Sequence, residues 1–177
     1  PVLLYNFPKM TGFTMTEEFV ARLGDHPKVA GLKDSSGEQA NLAAYRRAMP
    51  TEKPLYVGDE TLLLAALEAG WSGTISGAAN IVPQWLARIV HEWREAGWRE
   101  SAESKFELLL PILESIRKLP QPASNKALLR ALEVQETHTP RLPLVPVDEE
   151  TVAETLEMIR RRLGVALGRL GLADRPK

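Results

Sequence analysis

Val29-Ala30-Gly31-Leu32-Lys33-Asp34-Ser35-Ser36 places a basic side chain at the end of a short apolar run. Four apolar residues followed by small polar ones suit a buried strand running into a turn. Enclosing an ammonium group there is costly, and a lysine that sheds its proton is a nucleophile towards carbonyl carbon. Lys33 is therefore the first candidate for covalent chemistry. Val2-Leu3-Leu4-Tyr5 repeats the pattern with a phenol at its end, and Tyr5 is a candidate proton shuttle. The bland alternatives are a solvated lysine paired with Asp34 and an ordinary core tyrosine.

Outward from these two runs, strand-like and helix-like segments alternate. Thr14-Met-Thr-Glu-Glu starts a helix, with a cap candidate and acids in the first turn, and Gly24 and Pro27 stop it. Helices are expected over Gln39 to Met49, Glu60 to Ala69 and Val82 to Ala96, following the runs at Val29, Leu55-Tyr-Val-Gly58 and Gly73-Thr-Ile-Ser76. That is βα four times, with connections suited to parallel crossovers. After Gly97 the pattern is helical, over Arg99 to Lys118, Ser124 to Leu132 and Glu149 to Leu170, with Arg141-Leu-Pro-Leu-Val-Pro146 as an extended connector. The fold class expected is α/β. An open doubly wound sheet and part of a (β/α)8 barrel both fit the units, and the helical tail favours the barrel. Four strands with open edges close poorly, so further strands are expected to precede Pro1. The division is residues 1–97 as the second half of a barrel and 98–177 as a helical extension.

Composition narrows the partners. The 177 residues are 44% hydrophobic and 25% charged, with net charge −1, which is ordinary for a globular chain and offers no basic surface for nucleic acid. No apolar run is long enough to span a bilayer, so no membrane partner is expected. Cysteine is absent, which removes thiolate nucleophiles and cysteine-ligated metals, and a cytoplasmic location is the default. His26, His91 and His138 are scattered, so neither a metal nor a cofactor is expected. Trp85, Ile89 and Trp93 recur every four residues and predict a packed helix face. Arg160-Arg-Arg162 predicts a solvated one.

Read in order, Tyr5-Asn-Phe-Pro8 with Thr11-Gly12, Gly31-Leu-Lys-Asp-Ser-Ser36, Gly58-Asp59, Gly73-Thr-Ile-Ser-Gly-Ala-Ala-Asn80, Asn125-Lys-Ala-Leu128 and Arg141-Leu-Pro-Leu144 resemble the dihydrodipicolinate synthase and N-acetylneuraminate lyase superfamily. The resemblance covers nearly the whole chain. It implies a class I aldolase on the C-terminal half of a (β/α)8 barrel. Lys33 would form a Schiff base with pyruvate or a 2-keto acid, and Tyr5 would carry protons. The backbone at Ile75, together with Ser76, would line the pyruvyl pocket. Gly58 would let backbone approach the ligand, and Asp59 would accept a substrate hydroxyl, with a plain turn as the equal alternative. The family's Gly-Gly-Thr-Thr-Gly-Glu loop, with the threonine that relays protons to the tyrosine, would lie before Pro1. An N-terminal half is therefore a required partner, and a homo-oligomer, dimer or tetramer, is expected.

Met10 departs from the pattern. The synthases carry an arginine there to grip the aldehyde's carboxylate, and methionine has neither charge nor donor. The expectation is therefore an aldolase acting on a 2-keto-3-deoxy sugar acid or related hydroxy-keto acid. The alternatives are a 4-hydroxy-tetrahydrodipicolinate synthase, a split enzyme, or a catalytically incompetent half-barrel serving oligomerisation or sensing.

Overall fold

A computed structural model describes residues 1–164. Contacts gather the chain into two compact units, Pro1–Ser76 and Gly77–Lys177.

The first unit is built on a parallel sheet of four strands in the order β1-β2-β3-β4. These are β1 (Val2–Asn6), β2 (Val29–Asp34), β3 (Leu55–Val57) and β4 (Gly73–Thr74). The fourth run, expected to reach Ser76, is strand for two residues only. Each strand is followed by helix, as the alternation predicts. A four-residue helix α1 (Pro8–Thr11) precedes α2 (Glu17–Gly24), and was not foreseen because it is a single turn held between Pro8 and Gly12. Thr16 caps α2, its side-chain oxygen accepting from the Phe19 amide at 3.1 Å. Helix α3 covers Ala40–Ala48. After β3 the expected helix is split into a 3-10 turn at Glu60–Leu62 and α4 (Leu63–Glu68).

Burial explains the strand composition. Leu32, Leu55 and Val57 are enclosed, and the register sets all three on the sheet face opposite Lys33. β1 is different: Val2, Leu3 and Tyr5 remain 58%, 43% and 42% exposed. It is an edge strand among the described residues, and its apolar surface is uncovered on one side. Gly31 is fixed by packing, since a β-carbon there would collide with the Pro54 carbonyl.

The second unit is helical over its described residues. A 3-10 turn at Ala78–Asn80 precedes α5 (Pro83–Arg94), α6 (Arg99–Lys118), α7 (Ala123–Ala131) and α8 (Glu149–Leu163). The continuation of α8 expected to Leu170 lies partly outside the described residues. α5 packs on α6, and α8 packs on α6 and α7. The expected stripe on α5 is only partly right: Ile89 is enclosed, but Trp85 and Trp93 are half-buried, and the inner face is Leu86, Ile89 and Glu92. Trp93 instead presents its ring to Arg99, with the guanidinium carbon 4.0 Å from the centroid.

Glu92 can sit inside because two cations meet it. Arg88 Nε and Lys105 Nζ each donate to it at 2.8 Å. These bonds, Lys105 foremost, hold its carboxyl at about 2, below its ordinary 4.5. A depressed carboxyl stabilises the folded chain fully above 4.5, and that contribution is lost as pH falls through about 2. Thermal melts between those limits are expected to show an acid-induced loss of stability that Glu92→Gln reduces.

Candidate active site

Parallel pairing of β1 with β2 aligns Tyr5 with Lys33 and Asn6 with Asp34. Side chains alternate along a strand, so the pairing brings like-facing residues together. Lys33 Nζ lies 4.4 Å from the centroid of the Tyr5 ring. That is within the distance over which a lysine nitrogen is attracted to an aromatic face. Ser35, just past β2, donates its hydroxyl to the Tyr5 phenol oxygen at 3.3 Å. The Phe7 ring stacks on the Tyr5 ring with centroids 5.5 Å apart. Lys33 is half-buried, not enclosed as the apolar run predicts.

On the opposite side a polar cluster is buried. Asn6 is wholly inaccessible, and its amide nitrogen donates to Asp34 Oδ1 at 2.8 Å and to the Tyr45 hydroxyl at 3.0 Å. Its carbonyl oxygen accepts from the Met15 amide at 3.0 Å. Tyr45 donates to the Met15 carbonyl at 2.6 Å. Asp34 also accepts from the Ser36 amide at 3.0 Å, the Ser36 hydroxyl at 2.9 Å and the Asn41 side chain at 3.3 Å. Thus Asp34 is committed to this cluster, and the simple reading in which it pairs with Lys33 does not describe it. Burial, reinforced by the Asp34 charge, pushes the Tyr45 phenol up to about 12.

The remaining expected residues fall at the ends of β3 and β4 or on α1. Gly58 donates its amide to the Asp34 carbonyl at 2.6 Å. A β-carbon on Gly58 would strike the Ser35 hydroxyl, so glycine here makes room for Ser35. Asp59 caps the 3-10 turn, accepting from the Thr61 amide at 3.1 Å and the Thr61 hydroxyl at 2.6 Å. Its local role is thus the turn reading. Ile75 is 42% exposed, and its amide donates to the Val57 carbonyl at 3.0 Å. Met10 stands 71% exposed on α1. The structure therefore brings Tyr5, Lys33 and Ser35 into contact and sets Met10 on an exposed turn.

Glu60 was not anticipated. It is 4% exposed, and burial raises its carboxyl above the ordinary range. Its own backbone amide, the Ser76 hydroxyl and the Lys33 charge oppose that rise. The Ser76 hydroxyl oxygen is itself buried, and makes no hydrogen bond of ordinary geometry. A carboxyl raised by folding stabilises least above its folded value, so its cost is present at neutral pH and disappears in acid. Glu60→Gln is expected to raise the melting temperature at pH 8, with no gain at pH 4. Equal melting at both values would contradict this assignment. Among the described residues no group of three His, Asp or Glu side chains is placed to hold a metal ion.

Known proteins share the sequence pattern and the fold. A 4-hydroxy-tetrahydrodipicolinate synthase of Macrococcus caseolyticus is 34% identical over 91% of this chain and 53% of its own length. One from Archaeoglobus fulgidus is 31% identical over 90% and 55%. Among solved structures, the synthase of Methylacidiphilum fumariolicum superposes with a TM-score of 0.83 at 28% identity, over 92% of this chain and 55% of that one. YagE, a prophage protein of E. coli K12 solved with pyruvate, gives 0.83 at 25% identity over 92% and 56%. The chain spans about half the length of the curated relatives it matches, and its four βα units are those of a partial (β/α)8 barrel. The Dihydrodipicolinate synthetase family profile matches residues 1–162, and the chain belongs to that family.

Proposed function

We propose that the chain carries the Schiff-base half of a pyruvate-dependent aldolase. The observation that carries this reading is the alignment of Tyr5 with Lys33 at one sheet end, phenol beside amine. The Lys33 amine attacks C2 of pyruvate and gives a carbinolamine. Tyr5 donates a proton to the departing hydroxyl, which leaves as water, and the nitrogen lone pair forms the iminium. Loss of a C3 proton to a base then gives an enamine; C3 of the enamine bonds to the carbonyl carbon of an aldehyde, whose oxygen takes a proton from Tyr5, and water adds to the resulting iminium to release the product and free Lys33. The retro-aldol reaction runs the same steps backwards.

The rest of the barrel supplies the loop that binds the keto-acid carboxylate, so turnover requires those strands. Residues 1–97 are read as barrel and 98–177 as extension. Gly58, Asp59, Ile75 and Ser76 shape the floor of the pocket. The relatives' names favour aspartate semialdehyde as the acceptor, as in 4-hydroxy-tetrahydrodipicolinate synthase. Met10 supports a second reading, a hydroxylated acceptor without a carboxylate, as in cleavage of a 2-keto-3-deoxy sugar acid. No described helix is long and apolar enough to cross a membrane, and we read the enzyme as cytoplasmic. A homo-oligomer is the expected assembly, although one relative is a monomeric variant.

The test is pyruvate consumption by the protein joined to the remaining barrel strands. Faster consumption with aspartate semialdehyde than with glyceraldehyde supports the synthase. The opposite order transfers the assignment to the sugar-acid aldolase, and no consumption with either aldehyde contradicts both.

A further inference from the structure

Asp34 touches no group that reacts in the proposed chemistry, yet it is one bond-step from each of them. Lys33 precedes it on β2. Asn6, which donates to Asp34 Oδ1 at 2.8 Å, follows Tyr5 on β1. Ser36, bound twice to Asp34 at 3.0 and 2.9 Å, follows Ser35, whose hydroxyl reaches Tyr5. The three residues on the open side are therefore each tethered through a neighbour on the buried side. Asp34 is 3% exposed and accepts four hydrogen bonds from three residues of the buried cluster. A saturated, enclosed acceptor of this kind has little freedom to move.

We propose that Asp34 is the positioning residue of this site: through Asn6 and Ser36 it sets Tyr5, Lys33 and Ser35 in one constellation. This rests on the Schiff-base reading for its functional consequence, but its structural consequence can be read separately. Placement of Lys33 over the Tyr5 ring at 4.4 Å puts the lysine ε-methylene in the shielding cone of an aromatic ring. That produces an upfield proton shift that depends on the relative position of the two side chains, and not on activity.

The experiment compares the protein joined to the remaining barrel strands with its Asp34→Asn variant, which keeps the shape and removes the acid. Lys33 ε-proton shifts are measured by NMR. Borohydride trapping of pyruvate on Lys33 is measured by mass spectrometry. A folded Asp34→Asn chain, melting cooperatively, is expected to lose most of the upfield shift. Its trapping rate should fall roughly tenfold to a hundredfold, the scale of a misplacement of about 1 Å. Ser36→Ala is expected to lose part of the shift and Ser36→Thr to restore it, which gives the same answer if Asp34→Asn does not fold. A folded variant with an unchanged shift overturns the proposal. Absence of trapping in the unsubstituted protein joined to those strands counts against the Schiff-base reading alone, and the shifts then decide the role of Asp34.

Discussion

Lys33→Arg is expected to abolish capture of pyruvate by this protein. Guanidinium remains protonated at any accessible pH, so it has no lone pair to offer a carbonyl carbon. The substitution keeps the positive charge and a comparable length, so a chain that merely attracts the pyruvate carboxylate would still bind it. Binding and covalent capture are thus separated in one variant. The expected result is complete loss of borohydride-trapped adduct with little change in unfolding midpoint, because Lys33 is half-buried at a strand end. Tyr5→Phe is expected to be milder. It keeps the ring beside Lys33 but removes the hydroxyl that Ser35 contacts, so trapping slows, on the order of a hundredfold, as a lost general acid predicts.

The largest stability change is expected from Asn6→Ala. It deletes both donors to Asp34 and Tyr45, and strands the Met15 amide. A buried carboxyl that loses a donor and an amide left unpaired each cost more than an ordinary hydrogen bond contributes. Together these give a loss of roughly 3–5 kcal/mol, to be read as a lowered urea midpoint at unchanged slope. Tyr45→Phe removes a single hydroxyl from the same cluster and should cost about 1–2 kcal/mol. If Asn6→Ala costs no more than Tyr45→Phe, Asn6 is not the centre of the cluster.

The sequence made the strand ends easier to read than what supports them. Lys33 and Tyr5 stand out because a charge and a phenol each end an apolar run, and the βα alternation puts both runs in one parallel sheet. Asn6 and Asp34 sit one position further along, in the same quoted segments. Period-two alternation predicts that they face the other way, and the parallel register then pairs them. Tyr45 was not recoverable in this way, because nothing local marks a tyrosine on α3 as the partner of a residue 39 positions earlier. Glu60 was hidden for a related reason. A glutamate at a helix start ordinarily serves the first turn, and only tertiary packing encloses this one. Gly58 and Asp59 were each open to a turn reading in the sequence, and the contacts seen give both a structural role. The glycine was read as ligand clearance and makes room for Ser35, while the aspartate caps a turn. Lys33 is half-buried because it lies on the sheet face it shares with Tyr5, which is itself 42% exposed.

Under the proposed function, the choice of acceptor aldehyde turns on Met10. The relatives named as synthases and the uncharged, exposed side chain point to different aldehydes. Met10→Arg gives a discriminating variant, since a guanidinium on α1 can pair bidentately with a carboxylate. It should improve the use of a carboxylated aldehyde relative to an uncharged one.

Under the proposed function one lysine, set beside a tyrosine by strand register, forms the covalent intermediate. The sharpest test is peptide mapping of the protein joined to the remaining barrel strands, after treatment with pyruvate and borohydride. The account predicts a reduced pyruvyl adduct on the peptide containing Lys33 and unmodified peptides for Lys9, Lys28 and Lys53. An adduct spread over the surface lysines, or absent from Lys33, would contradict it.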